Sequence, residues 1–155
     1  MRVYGVGYFD LNEVSPFHDR LMFPIRDPYG ELLSFQGRAM FDHDAVGKPK
    51  YYHAPFDKGN VVYGLYECAE WALEAPFLTV VEGPMDVLAL HDAGLPSVAL
   101  MGTTFSQTQA YLVRRYTRNV LLWLDSDSAG AKASPRSTLL VAVDAFAPAE
   151  CVAMA

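Results

Sequence analysis

The pattern of apolar positions changes near residue 75. From there on, short aliphatic runs alternate with longer segments whose apolar residues recur at helical spacing. The short runs predict three strands: FLTVVEG at 77–83, PSVALMG at 96–102 and NVLLWLD at 119–125. Between them, PMDVLALHDAG at 84–94 opens with proline and closes with glycine, and SQTQAYLVRRYT at 106–117 opens on a serine suited to cap a helix. Because strands separated by helices pair in parallel through right-handed crossovers, we expect an α/β fold, a small, open, mainly parallel sheet flanked by helices.

The rest of this half continues the same alternation. SAGAKASPRSTLLVAVDAF at 128–146 predicts a third helix, bent by or starting after Pro135, and ECVAMA at 150–155 predicts a fourth strand. These elements would complete the sheet.

The first part of the chain has a different pattern, of short strands and turns. RLMFPIRD at 20–27 and LLSFQGRAMF at 32–41 flank a turn with Pro28 and Gly30, which predicts a β-hairpin. A polar loop leads to VVYGLYECAEWALEA at 61–75, whose apolar residues suit one face of a helix. We therefore expect two domains, an N-terminal β-rich lobe at 1–74 and an α/β domain at 75–155.

Composition and charge narrow the class of protein. The 155 residues are 52% hydrophobic, but every apolar run is far shorter than the ~20 residues of a membrane span, and the N-terminus lacks the apolar stretch of a signal peptide. We expect a cytoplasmic protein with no membrane contact, in which Cys68 and Cys151 are buried and reduced. The net charge of −6 falls mainly on residues 61–155, so affinity for a phosphate backbone must come from a local basic cluster in residues 1–60, from bound cations or from another chain.

Acidic residues follow the predicted strands of the second half. Glu82 ends the first strand, Asp125 and Asp127 end the third, and Asp86 opens the helix after Glu82. Because ligand sites of open parallel sheets form beyond the carboxyl ends of the strands, these carboxylates should meet at one edge. Clustered carboxylates need a compensating charge, and a hard divalent cation such as Mg²⁺ supplies it. Gly102 ends the second strand at the same edge.

Other interpretations of DSDSAG at 125–130 carry less weight. A single aspartate at a strand end is most often a helix cap. A calcium-binding EF-hand is excluded, since Ala129 and Arg136 stand where its loop needs an oxygen ligand and a bidentate glutamate. Response-regulator-like and phosphatase-like sheets would add a lysine or hydroxyl residue after a later strand, which is not evident here.

Three segments then resemble the signature of the TOPRIM domain shared by bacterial-type (DnaG-like) primases and topoisomerases. They are VVEGPMDVLAL at 80–90, ALMGTT at 99–104 and LLWLDSDSAGAKA at 121–133. FHDRLMFPIRDPYGELLSFQGRAM at 17–40, with KPKYYHAP and DKGNVVYGLYEC after it, resembles the stretch before TOPRIM in those primases. The resemblance covers 17–133 and suggests a phage or plasmid protein.

The resemblance implies roles for individual residues. Glu82 matches the family's acid/base glutamate, and Asp125, Asp127 and Asp86 match positions at its Mg²⁺ or Mn²⁺ site. The basic and loop positions that match contacts with the template strand or the nucleotide are Arg20, Arg38, Lys50, Lys58, Gly102 and Thr103. Surface solubility is the simple alternative for the basic residues.

The implied activity is the synthesis of RNA primers on single-stranded DNA from ribonucleoside triphosphates, alongside a replicative helicase or a second primase chain. Pro84 stands where the family usually has an aromatic residue, and the upstream lobe, a zinc ribbon and a final acidic pair have no counterpart in these 155 residues. We therefore expect a fragment, one part of a split primase or a stand-alone module. The alternative functions are a non-catalytic TOPRIM module that binds metal or nucleotide during replication-complex assembly and, less well supported, a TOPRIM nuclease.

Overall fold

The computed structural model describes residues 5–9, 15–40, 47, 49–102, 104–124 and 137–142. Contacts within the chain divide it into two units, Met1–Phe56 and Asp57–Ala155. No helix in the described part is both long and apolar enough to cross a membrane.

The first unit contains a four-stranded antiparallel sheet. Its strands lie in the order of the chain, and they are β1 (Gly7–Phe9), β2 (Arg20–Arg26), β3 (Leu32–Ala39) and β4 (Tyr51–His53). The predicted hairpin is confirmed as β2 and β3. Asp27 shapes its turn, because the carboxylate accepts hydrogen bonds from the amides of Tyr29 (2.9 Å) and Glu31 (2.8 Å). Gly30 has a φ of 92°, a conformation that favours glycine.

The second unit is an α/β sheet with helices on the connections. Its helices are α1 (Leu65–Glu74), α2 (Pro84–Asp92) and α3 (Gln107–Arg114), and its strands are β5 (Leu78–Val81), β6 (Ser97–Ala99), β7 (Asn119–Leu124) and β8 (Ser137–Ala142). The strand order is β6-β5-β7-β8, with β5 parallel to both β6 and β7. The predicted α/β class and mainly parallel arrangement are therefore confirmed.

Helix α1 packs with this second unit. Leu65, Cys68 and Ala72 are buried in one cluster with apolar residues of β5, β6 and α3, among them Leu78 and Val98. Fully burying an aliphatic side chain of this size stabilises a fold by about 1.5–3 kcal/mol, so this cluster is the main source of stability described in the unit. The domain limits at 74/75 stay a prediction, although α1 shares its core with the sheet that follows it.

One predicted helix is wrong. Residues 137–142, placed in a helix by the sequence, form β8, which pairs antiparallel with β7 from Leu124↔Ser137 to Asn119↔Ala142. The run STLLVA contains the β-branched residues Thr138 and Val141, which favour strands. Pro135, two residues before it, cannot donate a backbone hydrogen bond within a helix, so pairing with β7 prevails over helical periodicity. The predicted strand at 150–155 and Cys151 lie outside the described residues, whereas Cys68 is buried as expected.

Candidate functional site at the carboxyl edge of the sheet

Glu82 lies directly after β5, at the carboxyl edge of the parallel sheet, and is half-buried. The hydrogen-bond ladder between β5 and β6 continues past both strands. The amide of Leu100 donates to the Val81 carbonyl and the amide of Met101 donates to the Glu82 carbonyl, each at 3.0 Å. The backbone of Glu82 is thereby held beside the loop that follows β6.

Helix α2 begins next to Glu82 and carries Asp86 in its first turn. Gly83 at the N-cap is extended and offers no side-chain cap, and the buried Pro84 occupies the start of the helix. Proline suits this position because the amide it lacks would have no partner inside the helix. The half-buried carboxylate of Asp86 interacts favourably with the positive end of the helix dipole. Two of the predicted acidic residues therefore lie within five residues of each other, at one strand end.

The loop after β6 has an unusual backbone at this edge. Met101 is 5% exposed and has a φ of 62°, a left-handed conformation that costs a residue with a side chain about 1–3 kcal/mol. Gly102, by contrast, is exposed, and a Cβ built on it would meet nothing within 4 Å. Space next to Gly102 is therefore open, as a nucleotide-binding position requires. Thr103 lies outside the described residues.

Strand β7 reaches the same edge. It runs parallel to β5, in a register that pairs Val80 with Leu122, and its last residue is Leu124. Asp125 and Asp127 follow Leu124 but lie outside the described residues, so their meeting with Glu82 stays a prediction. Among the residues that the structure does describe, no three acidic, histidine or cysteine side chains form a metal-binding group. The described donors, Glu82 and Asp86, carry the carboxylate oxygens that Mg²⁺ prefers, and so fit such an ion.

Arg20, predicted to contact the template, lies inside the first unit with 1% of its surface exposed. Its Nε donates to the Pro16 carbonyl (2.7 Å), and its Nη1 lies 3.2 Å from the Gly37 carbonyl and 3.3 Å from that of Lys50. Burial lowers the pKa of the guanidinium, which the nearby Tyr52 partly opposes, but an arginine stays charged at neutral pH. In this conformation Arg20 ties three backbone segments together.

Packing around Arg20 is tight. A Cβ on Gly37 would lie 2.8 Å from the Arg20 Cδ and 3.1 Å from both the Met22 Sδ and the Phe17 ring. The Phe17 ring in turn packs edge-on against Tyr52, with centroids 5.0 Å apart. Glycine at position 37 is therefore what allows the arginine to cross this face of the sheet.

Two predicted basic residues of the first unit are closer to solvent. Arg38 is half-buried on β3, paired in register with Tyr51 on β4, and its buried Nε has no hydrogen-bond partner in the described part of the chain. Lys50 is exposed just before β4, with its ammonium 6.0 Å from the Tyr51 ring centroid. Lys50 thus lies near the Tyr51 ring, and Arg38 stands opposite Tyr51 in the register of β3 and β4.

Lys58 belongs to the second unit and is exposed in a short 3₁₀ turn, Lys58–Asn60. Asp57 caps this turn, accepting hydrogen bonds from the Gly59 amide (3.0 Å) and the Asn60 side chain (2.8 Å). The backbone at Lys58 therefore has a defined conformation at an exposed position.

Sequence reasoning missed Gln109, a buried residue in the first turn of α3. Ser106 and Gln109 form a capping box, in which the Ser106 hydroxyl accepts from the Gln109 amide and the Gln109 side chain accepts from the Ser106 amide, both at 3.0 Å. The S-x-x-Q spacing of SQTQ is the signal that could have found it. Its remaining contacts, with the carbonyls of Lys58, Val61 and Leu100, have no such signal.

Two family models match the chain. One, described as "Toprim-like", matches residues 79–150, and the other, described as "DNA primase catalytic core, N-terminal domain", matches residues 7–69. The primase model thus covers the first part of the chain and the Toprim-like model the second, as the resemblance of the sequence segments predicts.

Individual proteins agree with these models. The DNA primase of Neisseria meningitidis serogroup A is 41% identical over 126 residues, which are 78% of this chain and 21% of that protein. The crystal structure of the Aquifex aeolicus primase (zinc-binding and RNA polymerase domains) matches with a TM-score of 0.64 and 38% identity, over 74% of this chain and 29% of that one.

A third match is the DnaG primase catalytic domain bound to single-stranded DNA, with a TM-score of 0.63 and 41% identity over 73% of this chain and 37% of that one. The chain spans about a fifth of the length of the curated relatives it matches. These matches leave the expected phage or plasmid origin untested. The chain belongs to the family of DnaG-like DNA primases, of whose catalytic core it carries the Toprim-like region and the region before it.

Proposed function

We propose that this chain is the TOPRIM catalytic part of a DNA primase, which synthesises RNA primers on single-stranded DNA from ribonucleoside triphosphates during replication. The observation that carries the proposal is the carboxyl edge of the parallel sheet. There Glu82, Asp86 and Gly102 follow the ends of β5 and β6, and β7 ends on the same side. An edge of this kind binds ligands in open α/β sheets.

Membership of this family implies the use of a divalent metal ion. We propose Mg²⁺ or Mn²⁺, held by Asp125 and Asp127 with Asp86 beside them. When bound, the ion neutralises triphosphate charge and favours departure of pyrophosphate. Glu82 acts as the acid/base group. It accepts the proton of the primer's 3′-hydroxyl as that oxygen attacks the α-phosphorus of the incoming triphosphate, from which pyrophosphate leaves. The backbone bond from Met101 fixes where the Glu82 side chain begins.

The metal proposal predicts that an Asp125→Ala, Asp127→Ala double variant no longer binds Mn²⁺. Both carboxylates supply charge and ligand oxygens, and removal of both leaves too few donors for a hard cation. Titration with Mn²⁺ followed by electron paramagnetic resonance measures the loss. The matched control is Asp92→Ala, an exposed aspartate at the other end of α2, which should leave binding unchanged. Unchanged Mn²⁺ binding in the double variant would remove the assignment.

We propose that Arg38, Lys50 and Lys58 contact phosphates of the template or nucleotide. Arg38 is paired in register with Tyr51, and the Lys50 ammonium lies near the Tyr51 ring, which offers a surface on which a base can stack. Arg38 is only half-buried, and a guanidinium has several N–H groups with which it can donate to phosphate oxygens. Because the chain carries a net charge of −6, we expect few phosphate contacts beyond these three residues.

The chain should therefore bind single-stranded DNA weakly and with moderate salt dependence. About three phosphate contacts at ~0.7 counterions each predict a slope near −2 in a plot of log K against log salt. Fluorescence anisotropy of a labelled oligonucleotide at several salt concentrations measures it. Lys58→Ala should make the slope shallower by about 0.7, whereas Arg118→Ala, an exposed arginine just before β7, should not change it. A much steeper slope would show a larger basic surface than these residues form.

Primer synthesis itself is the direct test of the proposed function. The chain covers 29% and 37% of the two solved primase chains named above, so the assay supplies the remaining parts of the catalytic core in trans. We expect template-directed incorporation of ribonucleotides in the mixture, and little from this chain alone, because in-line positioning of three groups supplies much of the acceleration. A replicative helicase or a second primase chain is the proposed partner in the cell. Metal and DNA binding without synthesis in the complete mixture would favour the non-catalytic TOPRIM module instead.

A further inference from the structure

The side chain of Gln109 uses its NH₂ group and its carbonyl oxygen to bind the backbone of the second unit. Only 1% of the residue is exposed. Its Nε2 lies within hydrogen-bonding distance of three carbonyl oxygens, those of Lys58 (2.9 Å), Val61 (2.8 Å) and Leu100 (3.1 Å). A carboxamide has two N–H groups, so one of them is shared between two of these oxygens. Its Oε1 accepts from the Ser106 amide.

Ser106 adds a second attachment to the same turn. Its hydroxyl donates to the Gly59 carbonyl at 2.5 Å while it accepts from the Gln109 amide. The first turn of α3 therefore holds three carbonyls of the segment 58–61, which lies 47 to 51 residues earlier in the chain. Asp57 caps this segment from its other end.

The third carbonyl bound by Gln109 connects this turn to the candidate site. Leu100 immediately precedes Met101, the residue with positive φ whose amide donates to the Glu82 carbonyl. A single buried carboxamide thus joins the turn that carries Lys58 to the loop that leads to Gly102. Through the backbone of that loop it is also linked to Glu82.

Helix formation alone does not account for these contacts. The capping box needs only the Oε1 of Gln109, and a glutamate would provide it equally well. The two N–H groups serve carbonyls outside the helix, all of which belong to the Lys58 turn or to the loop after β6. An unmade bond to any of these buried acceptors would be costly, so the amide group specifies how the two segments lie.

We propose that Gln109 is a positioning residue, which holds the Lys58 turn against the loop after β6 so that the Lys58 ammonium meets a phosphate of the bound DNA or nucleotide. The phosphate contact rests on the proposed function, whereas the arrangement of the turn does not. Gln109 itself touches no substrate and acts through Lys58.

The experiment compares Gln109→Glu with Gln107→Glu. The first keeps the oxygen that caps α3 but removes both N–H donors, and the second makes the same chemical change at an exposed position of the same helical turn. Amide hydrogen exchange measures the stability of the Lys58 turn and needs no ligand. We expect about tenfold faster exchange at the amides of Asn60 and Val61 in Gln109→Glu only, with the amides of β5 unchanged. Equal exchange in both variants would overturn the proposal.

A double-mutant cycle with Lys58→Ala then tests the route to the phosphate. Gln109→Glu should weaken binding of a single-stranded oligonucleotide about threefold to tenfold when Lys58 is present, and less than about twofold when Lys58 is alanine. A merely structural role predicts the same loss in both backgrounds, and that result would overturn positioning through Lys58. If the unaltered chain binds no DNA, the proposed function fails, and the exchange measurement alone decides the arrangement of the turn.

A second variant covers the case in which Gln109→Glu does not fold. Ser106→Asp retains a side-chain oxygen that caps α3 but loses the hydroxyl that donates to Gly59. The proposal expects the same pattern from it, faster exchange at Asn60 and Val61 and a DNA-binding loss that depends on Lys58. Unchanged exchange in Ser106→Asp, with Gln109→Glu unfolded, would count against the proposal.

Discussion

Replacing Glu82 by glutamine should abolish primer synthesis while leaving the fold and DNA binding intact. The carboxamide has nearly the shape of the carboxylate but cannot accept a proton, and loss of general acid–base catalysis costs about 10²- to 10⁴-fold in rate. The backbone contacts of Glu82 with Met101 do not involve its side chain and are retained. Primer synthesis in the complete catalytic mixture, followed with labelled ribonucleotides, measures the effect.

The control for this experiment is Glu74→Gln. Glu74 is an exposed glutamate at the end of α1, so the same change of charge occurs away from the sheet edge. We expect full synthesis from it, and the same unfolding temperature and oligonucleotide affinity for both variants. If primer synthesis survives Glu82→Gln, Glu82 is not the acid/base group, whether or not the metal is bound as proposed.

Local sequence signals predicted much of the second unit. The aliphatic runs became β5, β6 and β7, the proline and glycine around 84–94 bounded α2, and Ser106 capped α3. Each of these features depends on neighbours within a few residues, which is why periodicity and capping rules find them. The helix predicted over residues 137–142 was wrong because that prediction also used only local signals. Its helical periodicity was a local signal, whereas the antiparallel partner that decides its structure lies on β7.

The candidate site was predictable only in part. Residues at strand ends, such as Glu82, follow from the fold class, since parallel strands bring their carboxyl ends to one edge. The contacts of Gln109 and Arg20 do not follow, because their carbonyl partners are separated from them by up to 51 and 30 residues, and only the completed register brings them together. The positive φ of Met101 could not be predicted either, because methionine has no preference for this conformation and the hydrogen bonds that hold the loop form only in the folded chain.

Arg20 shows why this distinction matters for function. A strand that begins with a cation in a primase-like segment suggests contact with the template, and that role stays a prediction. The structure shows a guanidinium that is buried among carbonyls of Pro16, Gly37 and Lys50. These hydrogen bonds hold the start of β2 against the backbone around Gly37 and Lys50, a structural role that requires no contact with DNA.

Replacing Arg20 by methionine should destabilise the chain by about 3 kcal/mol or more. Each bond from a charged donor contributes about 1.5–3 kcal/mol, and the variant leaves three carbonyls to find other partners in a tightly packed face. Arg26→Met is the matched control on the same strand. Its guanidinium is half-buried and donates to the Gly30 carbonyl of its own turn at 2.9 Å, so we expect a loss of about 1.5 kcal/mol, half or less of the loss from Arg20→Met. Urea unfolding followed by tryptophan fluorescence and circular dichroism compares the two.

Arg20→Lys separates the structural role from a direct contact with DNA. It keeps the positive charge but replaces the planar fork by a single ammonium, which cannot reach three carbonyls with the geometry of a guanidinium. If Arg20 is structural, the lysine variant should lose most of the stability that the methionine variant loses. For both variants, the salt slope of oligonucleotide binding should stay near −2 when it is measured well below the unfolding temperature, because neither change removes a phosphate contact. A lysine variant of full stability, together with a methionine variant whose slope falls by about 0.7, would instead place Arg20 against the template.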